Sequence, residues 1–145
     1  MSIHYLTMED MQKLALTLAN EMFARYAEPM PSFDDPQNEL HKLDAALFSP
    51  QHAFGGHDLY VSLEEKAAVL FYSIVKAHAL HNGNKRIACT SLIVFLTVNG
   101  YDFSCPPTEL EDIVVRVAES ASSENKAMLT ELVHWLRTCS HLSAI

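Results

Sequence analysis

The sequence predicts an all-α fold, a single bundle of about six helices occupying residues 1–145. Three observations predict it. Apolar residues recur at helical spacing along most of the chain. Sequences suited to capping, with Ser or Thr followed three residues later by an acid, precede several of these runs. Strand-like alternation is missing except for a weak trace at residues 59–61.

Thr7 and Asp10 open the first helix, the acid sitting near the positive end of the helix dipole. It is expected to run to about Tyr26, with Leu14, Leu16, Leu18, Met22 and Phe23 at roughly helical spacing. Pro29, Pro31 and Pro36 make residues 27–36 a loop. A short helix from about Asn38 to Phe48 places Leu40, Leu43 and Leu47 on one face. Residues 49–61 hold Pro50 and the Gly55-Gly56 pair, which break helix, and read as either an irregular lid or a small hairpin. Ser62-x-x-Glu65 is a capping box. The helix that it opens carries Ala67, Val69, Leu70, Phe71, Ile74 and Val75 and ends near residues 78–81.

Gly83 ends that helix or shapes the turn after it. A second apolar helix then runs from about Asn84 to Asn99, where Asn99-Gly100 stops it. Its apolar residues go nearly all the way round, the pattern of a helix buried at a bundle's centre. Pro106-Pro107-Thr108-x-x-Glu111 opens a helix to about Ala121. The last helix is expected from about Ser123 to Thr138, with His134 and Trp135 as packing residues.

The chain is 49% hydrophobic and 19% charged, so it has the means to build a core and is not of the disordered class. Its formal net charge of −8 at pH 7 argues against nucleic acid as a direct partner. The longest apolar stretch, residues 87–98, is broken by Thr90, Ser91 and Thr97 and is too short to span a bilayer. The start of the chain lacks the basic and apolar regions of a signal peptide. An odd count of three cysteines without a CxxC pattern argues for reduced thiols, with Cys89 a small core residue. These readings point to the cytoplasm. The eight histidines show no zinc-like spacing with the cysteines.

The chemistry concentrates in His78-Ala-Leu-His-Asn-Gly-Asn-Lys-Arg86. Lys85 and Arg86 form the only adjacent pair of Lys/Arg residues in the chain. They fall in the first turn of the central helix, where the dipole already places about half a positive elementary charge. Cations there oppose the dipole unless an anion occupies the site, when amides, dipole and side chains all favour it. Gly83 permits positive φ and close backbone approach. Gly83-Asn84-Lys85-Arg86 therefore has the character of a phosphate cradle; solvated cations paired with acids elsewhere are the alternative. Residues 67, 71, 74 and 78 share a helix face, which puts His78 at the end of the apolar stripe. There it is either a hydrogen-bonded core histidine or a base able to take a proton from a hydroxyl. His81 falls in the loop, facing solvent or a ligand. Asn82 offers magnesium a carbonyl oxygen, a weaker donor than a carboxylate. Asn84 is either a phosphate ligand or an N-cap.

This stretch, continued by Ile87-Ala88, resembles the motif of the Fic/Doc (Fido) superfamily, whose general form is His-Pro-Phe-x-Asp/Glu-Gly-Asn-Gly-Arg-x-x-Arg. Asn84-Lys85-Arg86-Ile87-Ala88 is closest to the Doc, or "death on curing", branch, and Cys89 stands where Fic enzymes carry a second Arg. The resemblance extends over about residues 40–105. It includes Leu43-Asp44-Ala45-Ala46-Leu47-Phe48-Ser49-Pro50-Gln51, Phe54-Gly55-Gly56, Leu59-Tyr60, Glu65-Lys66-Ala67-Ala68 and Leu96-Thr97-Val98-Asn99-Gly100-Tyr101.

The resemblance implies a Fido-type helical bundle and an ATP-dependent phosphotransferase, the toxin of a toxin–antitoxin system. His78 would be general base on a threonine of a translation factor such as elongation factor Tu. Asn82, Gly83, Asn84, Lys85 and Arg86 would hold the nucleotide, and position 82 would hold Mg2+. Phe54, Gly55 and Gly56 would form a flap aligning the target peptide, and an antitoxin protein would silence the chain. The alternatives are a Fic-type AMP transferase and a catalytically weak Fido binding module. Ala79 and Leu80 replace the family's Pro and Phe with other apolar residues. Asn82 replaces the usual acid, the departure with a direct bearing on metal binding.

Overall fold

Helix α5 (Asn84–Val98) is the axis of the structure, and its composition requires it to be. A helix apolar on all sides finds no stable place except inside. The computed structural model describes residues 2–22 and 30–144. Within it Ile87, Ala88, Leu92, Phe95 and Leu96 are fully buried. Thr90 and Ser91 are enclosed as well. Each hydroxyl donates to the carbonyl one turn back, Thr90 Oγ1 to Arg86 O at 2.9 Å and Ser91 Oγ to Ile87 O at 2.6 Å, which satisfies both inside the core.

The helices around this axis are α1 (Met8–Asp10), α2 (Leu16–Met22), α3 (Leu40–Phe48), α4 (Leu63–Ala77), α6 (Pro107–Glu119) and α7 (Asn125–Cys139). A π-helical stretch, Met11–Ala15, joins α1 to α2, so the expected long first helix is present as three segments. Its expected end at Tyr26, with Phe23, and the start of the proline loop with Pro29 lie outside the described residues. Helix α5 packs on α2, α4 and α6, while α4 packs on α3 and α7. Of the three predicted capping sequences, Thr7 with Asp10 and Ser62 with Glu65 form boxes, whereas Thr108 lies inside α6, whose N-cap is Pro106 and makes no side-chain bond. Among the described residues no helix is long and apolar enough to cross a membrane.

Two small antiparallel pairs complete the fold. Strands β1 (Ala53–Phe54) and β2 (His57–Asp58) form a hairpin across Gly55 and Gly56, whose φ angles are 58° and 79°. A two-residue turn with both φ positive matches the twist of the strands, and glycine adopts it without steric cost. Of the two readings for residues 49–61, the hairpin is the one present. The trace of alternation at 59–61 is not a strand, because only Leu59 still bonds across the hairpin, its N–H donating to His52 O at 2.9 Å. Strands β3 (Tyr101–Phe103) and β4 (Ser140–Leu142) pair across the end of the bundle. Three residues are too few to show alternation, and this pair forms only when the chain closes on itself.

The expectation of three reduced cysteines is corrected: Cys105 and Cys139 form a disulfide, and Cys89 is buried in α5 outside it. The two come together because Ser104 N donates to Cys139 O at 2.7 Å beside the β3–β4 ladder. Edge-to-face packing of Phe103 on Trp135, with centroids 5.8 Å apart, supports the same corner. Sequence spacing alone carries no trace of such a pairing.

Asn99, expected only to stop the helix, fastens the N-terminal segment to its end. Its Oδ1 accepts from His4 N at 2.8 Å, and its Nδ2 donates to His4 O at 3.0 Å and to Phe95 O at 2.8 Å. Asn99→Ala should lower unfolding stability by about 2–3 kcal/mol, since it strands three polar partners at a largely buried site; the midpoint of urea unfolding measures this. Reducing the disulfide, which closes a separation of 34 residues, should cost about 4 kcal/mol in the chain-entropy picture. Unfolding with and without a reductant checks it.

Candidate active site

His78 caps the C-terminus of α4 with φ 45° and ψ 47°. It is the one non-glycine residue of positive φ among the described residues. A side chain in this left-handed region costs about 1–2 kcal/mol, and histidine is among the residues that tolerate it. The twist swings the ring out of the helix, so His78 is exposed. It does not continue the apolar stripe, which ends in the core with Ile74 and Val75. Ala79 and Leu80 then turn inward and are buried, anchoring the loop from below.

Asn84 locks this loop. It is not the N-cap of α5, which is Gly83 with φ 80°, but the first residue of the helix. Its Oδ1 accepts from Leu80 N at 2.9 Å, and its Nδ2 donates to Leu80 O at 2.7 Å. These two bonds fix which way the amide faces, so the contact at 3.3 Å to His78 Nδ1 has Asn84 Nδ2 as donor. Neutral His78 thus rests with its proton on Nε2. A second set of bonds ties the loop to the segment before α3: His81 N donates to Asn38 Oδ1 at 2.8 Å and Glu39 N to Ala79 O at 2.7 Å. Pro31 lies against Gly83 so closely that a Cβ there would come within 2.8 Å of its ring. Gly83 is therefore required by both its φ and its neighbour.

The result is a cleft of about 570 Å³ lined by Val75, Lys76, His78, His81, Asn82, Gly83, Asn84, Lys85 and Ala118. Helix α5 points its N-terminus here, where the first N–H groups of a helix have no partner within the helix. Lys76 and Lys85 bring two cations, and none of the described lining residues is a carboxylate. Such a lining suits an anion. It does not suit magnesium held by the protein itself, because that ion needs hard anionic oxygens and Asn82 offers a neutral amide.

Arg86, unlike Lys85, does not line this cleft. Arg86 is 2% exposed and lines a neighbouring cavity of about 270 Å³ with Cys89, Glu111, Asp112, Val114 and Val115. Its Nη1 lies 2.7 Å from Met30 Sδ. Lys85 lines both spaces. The expected flap residues Phe54, Gly55 and Gly56 do not line the cleft; they stand exposed at the hairpin tip.

A model of the Fic/DOC family matches residues 5–96, from the N-terminal segment through most of α5. The chain belongs to the Fic/DOC family. Over 78 residues it is 40% identical to Toxin Doc of Mycolicibacterium smegmatis (strain ATCC 700084 / mc(2)155). That overlap covers 52% of this chain and 60% of the relative's length. The Fic/DOC match ends before β3, so Ala118 of the cleft and the residues of α6 in the second cavity lie beyond it.

Three contributors went unseen in the sequence. Asn38 gives no signal, because its role depends on a loop 43 positions away. Lys76, which lines the cleft, is held by the Ser120 carbonyl and lies 6.0 Å from the centre of the Tyr72 ring. Its position in the last turn of the helix, next to the polar loop, was the available clue. Lys66 is 2% exposed. Its Nζ donates to Tyr60 O at 2.5 Å and Asp58 Oδ2 at 3.3 Å and lies 5.6 Å from the Tyr5 ring centre. A charged residue on an apolar helix face was its signal, since burial of an ammonium demands partners.

Lys66 is thus the root of the hairpin. Lys66→Met should speed amide exchange of residues 52–60 while leaving the helical circular dichroism intact. Unchanged exchange there would show that the hairpin holds without it.

Proposed function

We propose that this Fic/DOC chain is a Doc-type toxin that moves the terminal phosphate of ATP to a threonine of a translation factor such as elongation factor Tu. The observation carrying this reading is the cleft itself: an exposed histidine, held in a costly conformation, faces a helix N-terminus and two lysines with no acid among the described lining residues. A backbone outlier that the surroundings enforce is a sign of function. The 40% identity to Toxin Doc of Mycolicibacterium smegmatis supports the toxin reading and, with it, an antitoxin partner.

In this mechanism the phosphates of ATP lie at the start of α5, held by Lys85, Lys76 and the helix amides. Arg86 adds charge from the adjoining cavity. The threonine oxygen bonds to the γ-phosphorus as the bond to the β-bridging oxygen breaks, and ADP leaves. His78 accepts the hydroxyl proton. Acceptance at Nε2 needs the other tautomer, in which Nδ1 carries the proton and the contact to Asn84 is lost. At 3.3 Å that contact is long, so the change costs no more than about 1 kcal/mol. No step is routed through magnesium, because position 82 supplies no carboxylate.

The exposed hairpin supports a protein substrate. Phe54, Leu59 and Val61 are 81%, 53% and 76% exposed. Large apolar side chains grouped in solvent mark a surface that meets another protein. Lysine at position 85 and a buried cysteine at 89, where a second arginine would stand, favour phosphate over AMP transfer.

Incubation with γ-labelled ATP and elongation factor Tu should label a threonine, and His78→Ala should reduce the rate by about 10²-fold or more. Label from α-labelled ATP instead would identify an AMP transferase. Transfer of neither would leave a binding module.

A further inference from the structure

The chain contains two Asn-Gly pairs, Asn82-Gly83 and Asn99-Gly100. In such a pair the glycine nitrogen, unshielded by a side chain, lies within reach of the asparagine side-chain carbonyl. The structure treats the two in opposite ways. Asn99 is 7% exposed and its amide makes three hydrogen bonds. Gly100 N is itself held, donating to Thr97 O at 3.1 Å. Asn82 is half-buried at the cleft, no described residue hydrogen-bonds its side chain, and no described acceptor holds the Gly83 N–H. Lys76 and Lys85 line the same cleft.

We propose that Asn82 is a self-modification site, converted by deamidation into the carboxylate that the cleft lacks. The Gly83 nitrogen attacks Asn82 Cγ. A carbon–nitrogen bond forms, the Cγ–Nδ2 bond breaks, and ammonia leaves with the Gly83 proton. Water then opens the cyclic imide at either carbonyl, giving aspartate or isoaspartate and releasing one proton. Water is the only co-reactant. The two lysines favour each anionic stage, from the deprotonated amide to the final carboxylate. The unconstrained side chain can reach the ring-closing geometry that the bonded Asn99 cannot.

The consequence is a change of cleft chemistry without a change of gene. Before conversion the lining offers cations and a neutral amide. Afterwards it offers a hard anionic oxygen beside the phosphate cradle, the donor that a magnesium ion prefers. This consequence rests on the nucleotide reading of the cleft, whereas the modification does not.

The test is to age the freshly purified protein in mildly alkaline buffer at physiological temperature and follow both pairs by peptide mass mapping. Asn82 should gain about one dalton, with isoaspartate detected, at a rate about tenfold or more above that of Asn99, a difference of about 1.4 kcal/mol in barrier. An Asn82→Gln variant should stay unmodified at that position. Magnesium binding, followed by titration calorimetry in the presence of ATP, should be stronger for aged protein and for Asn82→Asp than for fresh protein. Conversion at 82 no faster than at 99 overturns the proposal. Conversion without phosphate transfer by any form would overturn the catalytic reading and leave this one standing.

Discussion

The buried helix α5 is the constraint on which the rest depends. Its residues leave little polar face to offer water, so other elements cover most of its length, and its two ends become the places where polar chemistry is possible. Each end is closed by the same device. Asn84 at the start clasps the N–H and C=O of Leu80, and Asn99 past the end clasps those of His4. An asparagine amide has one acceptor and donors beside it, which matches the edge of a peptide chain. At both ends a buried side chain thus serves as a one-residue substitute for sheet pairing.

The cleft follows from the first of these clasps. Because Asn84 holds Leu80, the loop between α4 and α5 is short and tight, and His78 must enter left-handed backbone space to make the turn. The strain falls on the residue whose ring then stands in the open. Lys85 faces the same space with the dipole behind it, while Arg86, one residue on, is carried round the helix into the neighbouring cavity. A helix advances about 100° per residue, so Arg86 leaves the cleft while Lys85 borders both spaces. The motif that reads as a single cluster along the chain spans two cavities that meet at Lys85.

What the sequence disclosed and what it withheld follow the range of the interactions. The periodicity of α4, α5 and α6 and the capping boxes at Thr7 and Ser62 depend on near neighbours and were legible. The polar loop and its glycine were legible for the same reason. Asn38, Lys66, the β3–β4 pair and the Cys105–Cys139 disulfide depend on residues far away in sequence, and nothing local announces them. His78 fell between. Its helix-face position placed it in the apolar stripe, but the turn imposed by Asn84 removed it from the helix.

The clasp at Asn99 has a consequence for the chain's layout. His4 meets Asn99, and Ser143 N donates to Gly100 O at 2.8 Å, so the two ends of the described chain converge on one spot. That spot is separated from the cleft by the length of α5, about 22 Å at 1.5 Å per residue. The molecule thus has a working pole and a joining pole. Extensions, fusions or a rewired chain order introduced at the joining pole would leave the loop at the other end untouched.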